Sequence, residues 1–177
     1  MLTTMTTDRS IRATTRDEEF RNFFVAESDR LRRFATFMTG DAERGADLAQ
    51  EALVRTYRHW ARIRNDDPGP YARRILVNLI RSAHRRSLLE RTRGPEFLQE
   101  LDEGHARRVD EWLNISRALL HLSPIQRATV VLRFYEDLSE AEIGRVLDRP
   151  VGTVKSDLHR ALKKLRPLLE ETEARHT

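Results

Sequence analysis

The sequence predicts an all-α protein of two small helical domains, the second of them a helix-turn-helix, joined by an acidic flexible linker. Apolar residues recur at three- and four-residue steps through most of the 177 residues, and no stretch alternates as a strand does. The length suits one or two small domains. The predicted segments are a disordered tail at 1–16, domains at 17–92 and 112–169, a linker at 93–111 and a tail at 170–177.

Two helices open the first domain. From Asp17 onward apolar residues fall on one helical face, ending before Gly40, and Asp41 can cap the next helix, which we expect to run to about Ile63. The apolar stripe of this second helix contains Trp60, which we interpret as a core residue. The first stripe consists of Phe20, Phe23, Phe24, Leu31, Phe34, Phe37 and Met38.

The third predicted helix, from Tyr71 to about Leu89, follows a loop of turn-forming residues at 65–70. Residues 71–93 contain seven arginines and one glutamate, a net charge of +6 that calls for an anionic partner. An asparagine within an arginine row can donate to and accept from a base edge, although by itself it is more often an ordinary surface residue. Tyr71 offers a ring for stacking on unpaired bases or for the core. The basic face comprises Arg74, Asn78, Arg81, Arg85 and Arg86.

An acidic segment separates the domains. Gly94 and Pro95 end the third helix, and residues 94–111 hold six acids and two arginines. Helical periodicity resumes near Trp112. Ser123 and Ser139 each precede a helix with a Gln or Glu three residues later, which predicts two capping boxes.

Residues 138–165 have the pattern of a helix-turn-helix, with a tight turn at 148–150 between a short capped helix and a longer basic one. The segment from Lys155 to Arg166 has five cations and one acid, so it can neutralise DNA phosphates. We expect Pro167 to end this helix. The polar face that could enter a major groove contains Thr153, Ser156, His159, Arg160 and Lys163.

The composition excludes several kinds of chemistry and indicates which partners the chain could bind. Charged residues make up 34% of the chain and the net charge is +4. Cysteine is absent, which excludes disulfides, thiolate catalysis and cysteine-bound zinc. No apolar run is long enough to span a membrane, and residues 1–16 lack the apolar stretch of a signal peptide, so we expect a cytoplasmic protein without membrane insertion. We also expect no cofactor. Residues 17–51 have a net charge of −4, which suggests a protein partner in addition to nucleic acid.

In the order and spacing of its motifs the chain resembles the extracytoplasmic-function branch of bacterial sigma factors, over about residues 17–169. The first domain supplies Gly40-Asp41, the segment Ala46-Asp47-Leu48-Ala49-Gln50-Glu51-Ala52-Leu53 and the stretch from Pro70 to Arg86. The second domain supplies Leu122-Ser123-Pro124, Val131-Leu132-Arg133, Leu138-Ser139 and Val151-Gly152-Thr153-Val154-Lys155-Ser156.

This resemblance implies that the helix bearing Asp47, Leu48, Gln50 and Glu51 grips a coiled coil of the largest subunit of core RNA polymerase. It implies that loop 65–70 and the third helix recognise and open the promoter −10 element, and that the helix-turn-helix binds the −35 element with Arg133 near the DNA backbone. An anti-sigma factor is a further candidate partner. The chain departs from the family pattern at Tyr71, where Trp is common, at Arg81, where an acid is common, and at Asp157, where Arg is common.

Two alternatives remain open at this stage. An autonomous dimeric helix-turn-helix regulator would use the second domain equally well, but it leaves the Asp47–Glu51 face unexplained. A helical hydrolase is the other, although the six histidines show no paired metal-ligand spacing and the sequence has no phosphate-binding loop.

Overall fold

The structure is a computed structural model that describes residues 3–91 and 115–174; the predicted acidic linker lies outside these ranges. The described residues form helices and connecting turns without a strand, which confirms the all-α prediction. The first domain consists of α1 (Thr3–Thr39), α2 (Ala42–Arg58), α3 (Trp60–Ile63) and α4 (Pro68–Arg91). The second consists of α5 (residues 115–120), α6 (Pro124–Phe134), α7 (Glu140–Leu147) and α8 (Val151–Ala174).

Helix α1 begins at Thr3, within the segment that the sequence predicted as a disordered tail. No glycine or proline interrupts residues 3–39, so nothing in the backbone stops the helix from extending toward the N-terminus. The Arg16 guanidinium lies 4.7 Å from the centre of the Tyr57 ring, and the Tyr57 hydroxyl donates to Asp17 over 2.6 Å. These contacts tie the predicted tail boundary to α2.

The second predicted helix is broken in two at His59. Asp41 caps α2 as expected, accepting from the Arg44 N–H over 2.9 Å. The backbone N–H of His59 donates to the Thr56 carbonyl over 3.1 Å, and α3 begins at the next residue. Trp60 is 3% exposed, with its ring 5.2 Å from that of Phe20, so the prediction that it belongs to the core is confirmed.

Two prolines differ from their expected roles. Helix α4 begins at Pro68 rather than Tyr71, because proline has the backbone angle of a first helical turn and no N–H is needed there. Helix α8 continues through Pro167, which the sequence predicted as its end. Pro167 is exposed, so water can hydrate the Lys163 carbonyl that loses its helical donor.

Each domain has an apolar centre, and the two centres adjoin. Phe34, Met38 and Leu76 are buried in the first domain, and Leu132 and Ile143 in the second. Phe24, a residue of the predicted stripe of the first helix, is instead exposed, and Val151 and Leu162 of α8 are exposed as well. No helix within residues 3–91 and 115–174 has the length and apolarity to cross a bilayer.

The two domains contact each other through α1 and α4 on one side and α6, α7 and their connecting loop on the other. The rings of Phe37 and Tyr135 lie 5.1 Å apart, and the Arg33 Nε donates to the Tyr135 hydroxyl over 2.7 Å. The Arg127 guanidinium donates to the backbone carbonyl of Met38 across the interface and to that of Leu119 within its own domain. Burial lowers the pKa of Arg127 to about 10.

Candidate nucleic-acid interface

The groove-facing row predicted on α8 lies on the outer side of the helix. Ser156, His159, Arg160 and Lys163 are exposed, and Thr153 is partly exposed. The Ser156 hydroxyl donates to the Gly152 carbonyl over 3.0 Å, which leaves its lone pairs available. Lys155 is also exposed and lies 3.7 Å from Glu140 of α7. The helix therefore presents hydroxyls, an imidazole and cations along one face.

Local hydrogen bonds at both ends of α7 fix where this helix begins and ends. The Ser139 N–H and hydroxyl donate to the Glu142 carboxylate over 2.7 and 2.6 Å, which completes the predicted capping box. These bonds lower the pKa of Glu142. At the other end of α7, Asp148 has a positive φ of 54° and its N–H reaches the Gly144 carbonyl.

Gly144 allows the turn to close. A Cβ atom at this position would lie 2.7 Å from the Arg149 carbonyl oxygen, so no larger residue fits without moving backbone. The Arg149 N–H donates to the Gly144 carbonyl over 2.8 Å. The short turn at 148–150 thus depends on a close approach that the sequence pattern did not single out.

Asp157, one of the departures from the family pattern, is a buried partner of the turn. Only 7% of the residue is exposed, and its Oδ2 accepts from the Arg149 Nη1 over 2.7 Å. Its Oδ1 lies 3.9 Å from the Arg160 Nη1. The carboxylate therefore points toward the turn between α7 and α8.

The basic row of α4 is also on the surface. Arg74, Asn78, Arg85 and Arg86 are exposed and Arg81 is partly exposed. The Arg74 guanidinium stacks 5.2 Å from the centre of the partly exposed Tyr71 ring. Tyr71 thus lies at the rim, where a ring remains accessible for stacking, and not in the centre of the core.

Arg73 belongs to the same basic stretch of sequence, residues 71–93, but is buried. It is 6% exposed and forms ion pairs with Glu27 and Glu136. The first turn of α4 passes close to this guanidinium: a Cβ atom on Gly69 would lie 2.7 Å from the Arg73 Nη1. No sequence motif indicates the pair of Arg73 and Glu136, because 63 residues separate them.

The predicted polymerase face lies along α2. Asp47, Gln50 and Glu51 are exposed, while Leu48 is partly buried against the core. Glu51 pairs with Arg55 over 2.5 Å. Val54 continues the exposed stripe with 43% of its surface accessible, so this face combines acidic, amide and apolar groups.

Arg133, which the resemblance places near the DNA backbone, makes a contact within its own domain. Its Nη1 donates to the Leu138 carbonyl over 3.0 Å, bridging the end of α6 and the start of the helix-turn-helix. The side chain is only partly exposed.

Among the described residues, no group of three or more acids and histidines is arranged to hold a metal ion.

Comparisons with known proteins agree with this arrangement. The family model Sigma-70 region 2 matches residues 23–88, and Sigma-70, region 4 matches residues 112–165. The RNA polymerase sigma-E factor of Streptomyces coelicolor is 35% identical over 150 residues, covering 84% of each chain. The ECF RNA polymerase sigma factor SigL of Mycobacterium tuberculosis is 32% identical over 148 residues, covering 80% of this chain and 83% of that protein.

A solved structure has the same fold. The sigma factor RpoE from Bartonella quintana, crystallised with the anti-sigma factor NepR, superposes with a TM-score of 0.68 at 21% identity. The match covers 86% of this chain and 98% of that one. With both sigma-70 regions in order and relatives of this identity over most of its length, the chain belongs to the extracytoplasmic-function family of RNA polymerase sigma factors.

Proposed function

We propose that this sigma factor divides promoter recognition between two exposed basic helices, α8 on duplex DNA and α4 on opened DNA. The observation that supports this division is the placement of two separate donor rows, one on each domain, at the surface. Thr153, Ser156, Arg160 and Lys163 supply groups suited to a major groove and its phosphates. We expect the −35 element to lie against this row.

In the first domain, Tyr71, Arg74 and Asn78 lie on α4, which follows the loop at residues 64–67. An aromatic ring stacked under a guanidinium offers a platform for an unpaired base, and the Asn78 amide can hydrogen-bond its edge. Capture of a flipped base replaces stacking energy that strand opening removes, so no nucleotide hydrolysis is needed. This is the chemistry expected for the −10 element.

In this proposal, α2 binds the polymerase. Asp47, Gln50 and Glu51 form an exposed polar stripe suited to an arginine-rich helical partner, such as the coiled coil of the largest core subunit. The relatives named above are polymerase subunits, which supports a regulatory role without catalysis of its own. We place its action with the polymerase in the cytoplasm, and we propose an anti-sigma factor as a further partner because RpoE binds one.

The decisive experiment combines the purified chain with core polymerase of its host and a fragment library of host DNA. We expect transcripts to start at a small set of sites that share an upstream motif and that core polymerase alone does not use. A Gln50→Ala, Glu51→Ala double variant should fail to enter the holoenzyme, whereas Glu43→Ala, an exposed acid on the same helix, should enter normally. Initiation by the double variant at the wild-type level would contradict the assignment.

A further inference from the structure

Asp157 lies between the turn of the helix-turn-helix and an arginine of the α8 row that the proposed function assigns to duplex DNA. Only 10% of its side chain is exposed, and its Oδ2 accepts from the Arg149 Nη1 over 2.7 Å. Its Oδ1 lies 3.9 Å from the Nη1 of Arg160, three residues further along the helix. The two oxygens of one carboxylate therefore face two different arginines.

The two arginines differ in how firmly they are held. The Arg149 side chain is 32% exposed and forms a short ion pair, whereas the Arg160 side chain is 66% exposed. Within residues 3–91 and 115–174 no other ion pair or hydrogen bond engages the Arg160 guanidinium. Burial and the contact with Arg149 thus hold the carboxylate in place, and the position of Arg160 depends on that carboxylate.

The approach of the carboxylate decides which donors of Arg160 remain available. A guanidinium carries five N–H groups in a fixed planar fork, and Asp157 approaches it at Nη1. The opposite edge, formed by Nε and Nη2, keeps two parallel donors. Guanine is the base that presents two acceptors, O6 and N7, in the major groove. The available edge of Arg160 therefore matches guanine.

Electrostatics favour this base contact over a phosphate contact. A phosphate bound to Arg160 would lie within the Debye length of about 10 Å from the negative charge of Asp157, whereas O6 and N7 belong to an uncharged base. In water an exposed pair at 3.9 Å is weak. A groove that excludes water strengthens the attraction, so Asp157 restrains Arg160 most when the contact with DNA forms.

We propose that Asp157 is a positioning residue for promoter recognition, which holds the Nη1 side of Arg160 so that the Nε–Nη2 edge binds a guanine of the upstream element. This proposal rests on the function proposed above for the row on α8. An acid at a position where the family commonly has arginine then adds selectivity for one base instead of a further contact with phosphate.

The test uses the holoenzyme and a promoter found in the transcription experiment above. Each guanine of the upstream element is replaced in turn by 7-deazaguanine, which retains O6 and base pairing but lacks the N7 acceptor. We expect one replacement to weaken binding of the wild-type holoenzyme about fivefold or more. Arg160→Ala should bind the guanine and 7-deazaguanine duplexes equally.

Two variants separate the positioning of Arg160 from support of the turn. In Asp157→Asn the ratio of affinities for the two duplexes should fall to about twofold or less, because the charge that holds Arg160 is gone. In Arg149→Gln the turn loses its ion pair but the carboxylate remains beside Arg160, so the ratio should stay at the wild-type value or above. If Asp157→Asn folds poorly, the double variant Arg149→Gln, Asp157→Asn leaves neither charge without its partner and should also have the reduced ratio.

Lys155→Gln is the matched control. It removes an exposed cation of α8 that also lies near an acid, 3.7 Å from Glu140. It should weaken binding to all duplexes alike and lower the salt dependence by about one phosphate contact, with an unchanged guanine ratio. A wild-type ratio in Asp157→Asn, or the same reduced ratio in Arg149→Gln, overturns the positioning role.

The outcomes also distinguish this proposal from the proposed function. If Arg160→Ala loses affinity for the promoter but no 7-deazaguanine replacement affects the wild type, the guanine contact is wrong and the row on α8 still binds duplex DNA. If Arg160→Ala binds every duplex as the wild type does, Arg160 is not a DNA contact. That result overturns the positioning role together with the proposed function of this row.

Discussion

The Arg149 guanidinium lies 2.7 Å from the Asp157 carboxylate and joins the turn of the helix-turn-helix to the second turn of α8. The other oxygen of the same carboxylate lies 3.9 Å from Arg160, a residue of the row predicted to face the groove. A single acid thus holds the turn through Arg149 and places a negative charge near Arg160. Its position within α8 explains how an acid is tolerated in a helix that binds DNA.

Replacing Asp157 by Asn should destabilise the second domain. Arg149 would lose its charged partner while two-thirds of its side chain stays covered, so we expect a loss of about 1–2 kcal/mol in the free energy of unfolding. Urea denaturation followed by circular dichroism measures it. Arg160→Gln is the control, since its contact is long and 66% of its side chain is exposed, and it should change stability by about 0.5 kcal/mol or less. Equal losses of stability in both variants would contradict the conclusion that Asp157 holds the turn through Arg149.

Gly144 and Gly152 form a natural pair for testing the turn. Gly144→Ala places a methyl group 2.7 Å from the Arg149 carbonyl oxygen and should cost about 1–3 kcal/mol through backbone displacement. Gly152→Ala meets no atom within 4 Å and lies in the first turn of α8, so it should be neutral or slightly stabilising. Thermal unfolding together with binding to duplex DNA measures both. A Gly144→Ala chain with wild-type stability would show that the backbone of the turn can shift at little energetic cost.

The capping box of α7 should make stability depend on pH. The hydroxyl and N–H of Ser139 lower the pKa of Glu142 below its usual 4.5, so the folded state binds its proton less readily than the unfolded state. The stabilisation is present above pH 4.5 and is lost as the pH falls through the lower folded value. Glu142→Gln keeps a capping acceptor without the charge. The stability difference between the two chains should therefore shrink on acidification below pH 4.5, and a difference independent of pH would contradict this cause.

Much of the site could be predicted because it follows local rules. The capping boxes at Ser123 and Ser139 depend on residues three positions apart, and the rows on α4 and α8 depend on helical periodicity. The break at His59 and the passage of α8 through Pro167 depend on tertiary packing and solvation, which no short window contains.

The contacts between domains could not be predicted from the sequence for a different reason. Arg73 looks like one more member of a basic stripe until Glu136, 63 residues away, is placed against it. Arg127 likewise has no distinguishing motif, although it donates to carbonyls of both domains. The residues next to a buried arginine do not distinguish it from an exposed one when its partner lies far away in the sequence.

Arg160→Ala should weaken binding of the holoenzyme to the upstream element. The side chain is exposed in the groove-facing row, and loss of a base contact costs about 1–3 kcal/mol, or roughly 5- to 150-fold in affinity. Competition binding with promoter duplexes that differ in the upstream motif measures this loss. Arg117→Ala, an exposed arginine of α5, is the control and should retain affinity. If both variants lose affinity equally for all sequences, Arg160 contributes only net charge.

Asn78→Ala should impair strand opening and leave the initial duplex complex intact. The amide is exposed on α4, between Arg74 and Arg81, where it can meet the edge of an unpaired base. Losing one such bond, worth about 1–3 kcal/mol, should reduce open complexes about tenfold. Permanganate reactivity of unpaired thymines measures opening, and filter binding at low temperature measures the closed complex. Asn22→Ala removes an exposed amide from α1 and should open promoters normally. A variant at Asn78 that loses closed complexes to the same extent as open ones would place this residue in initial binding instead.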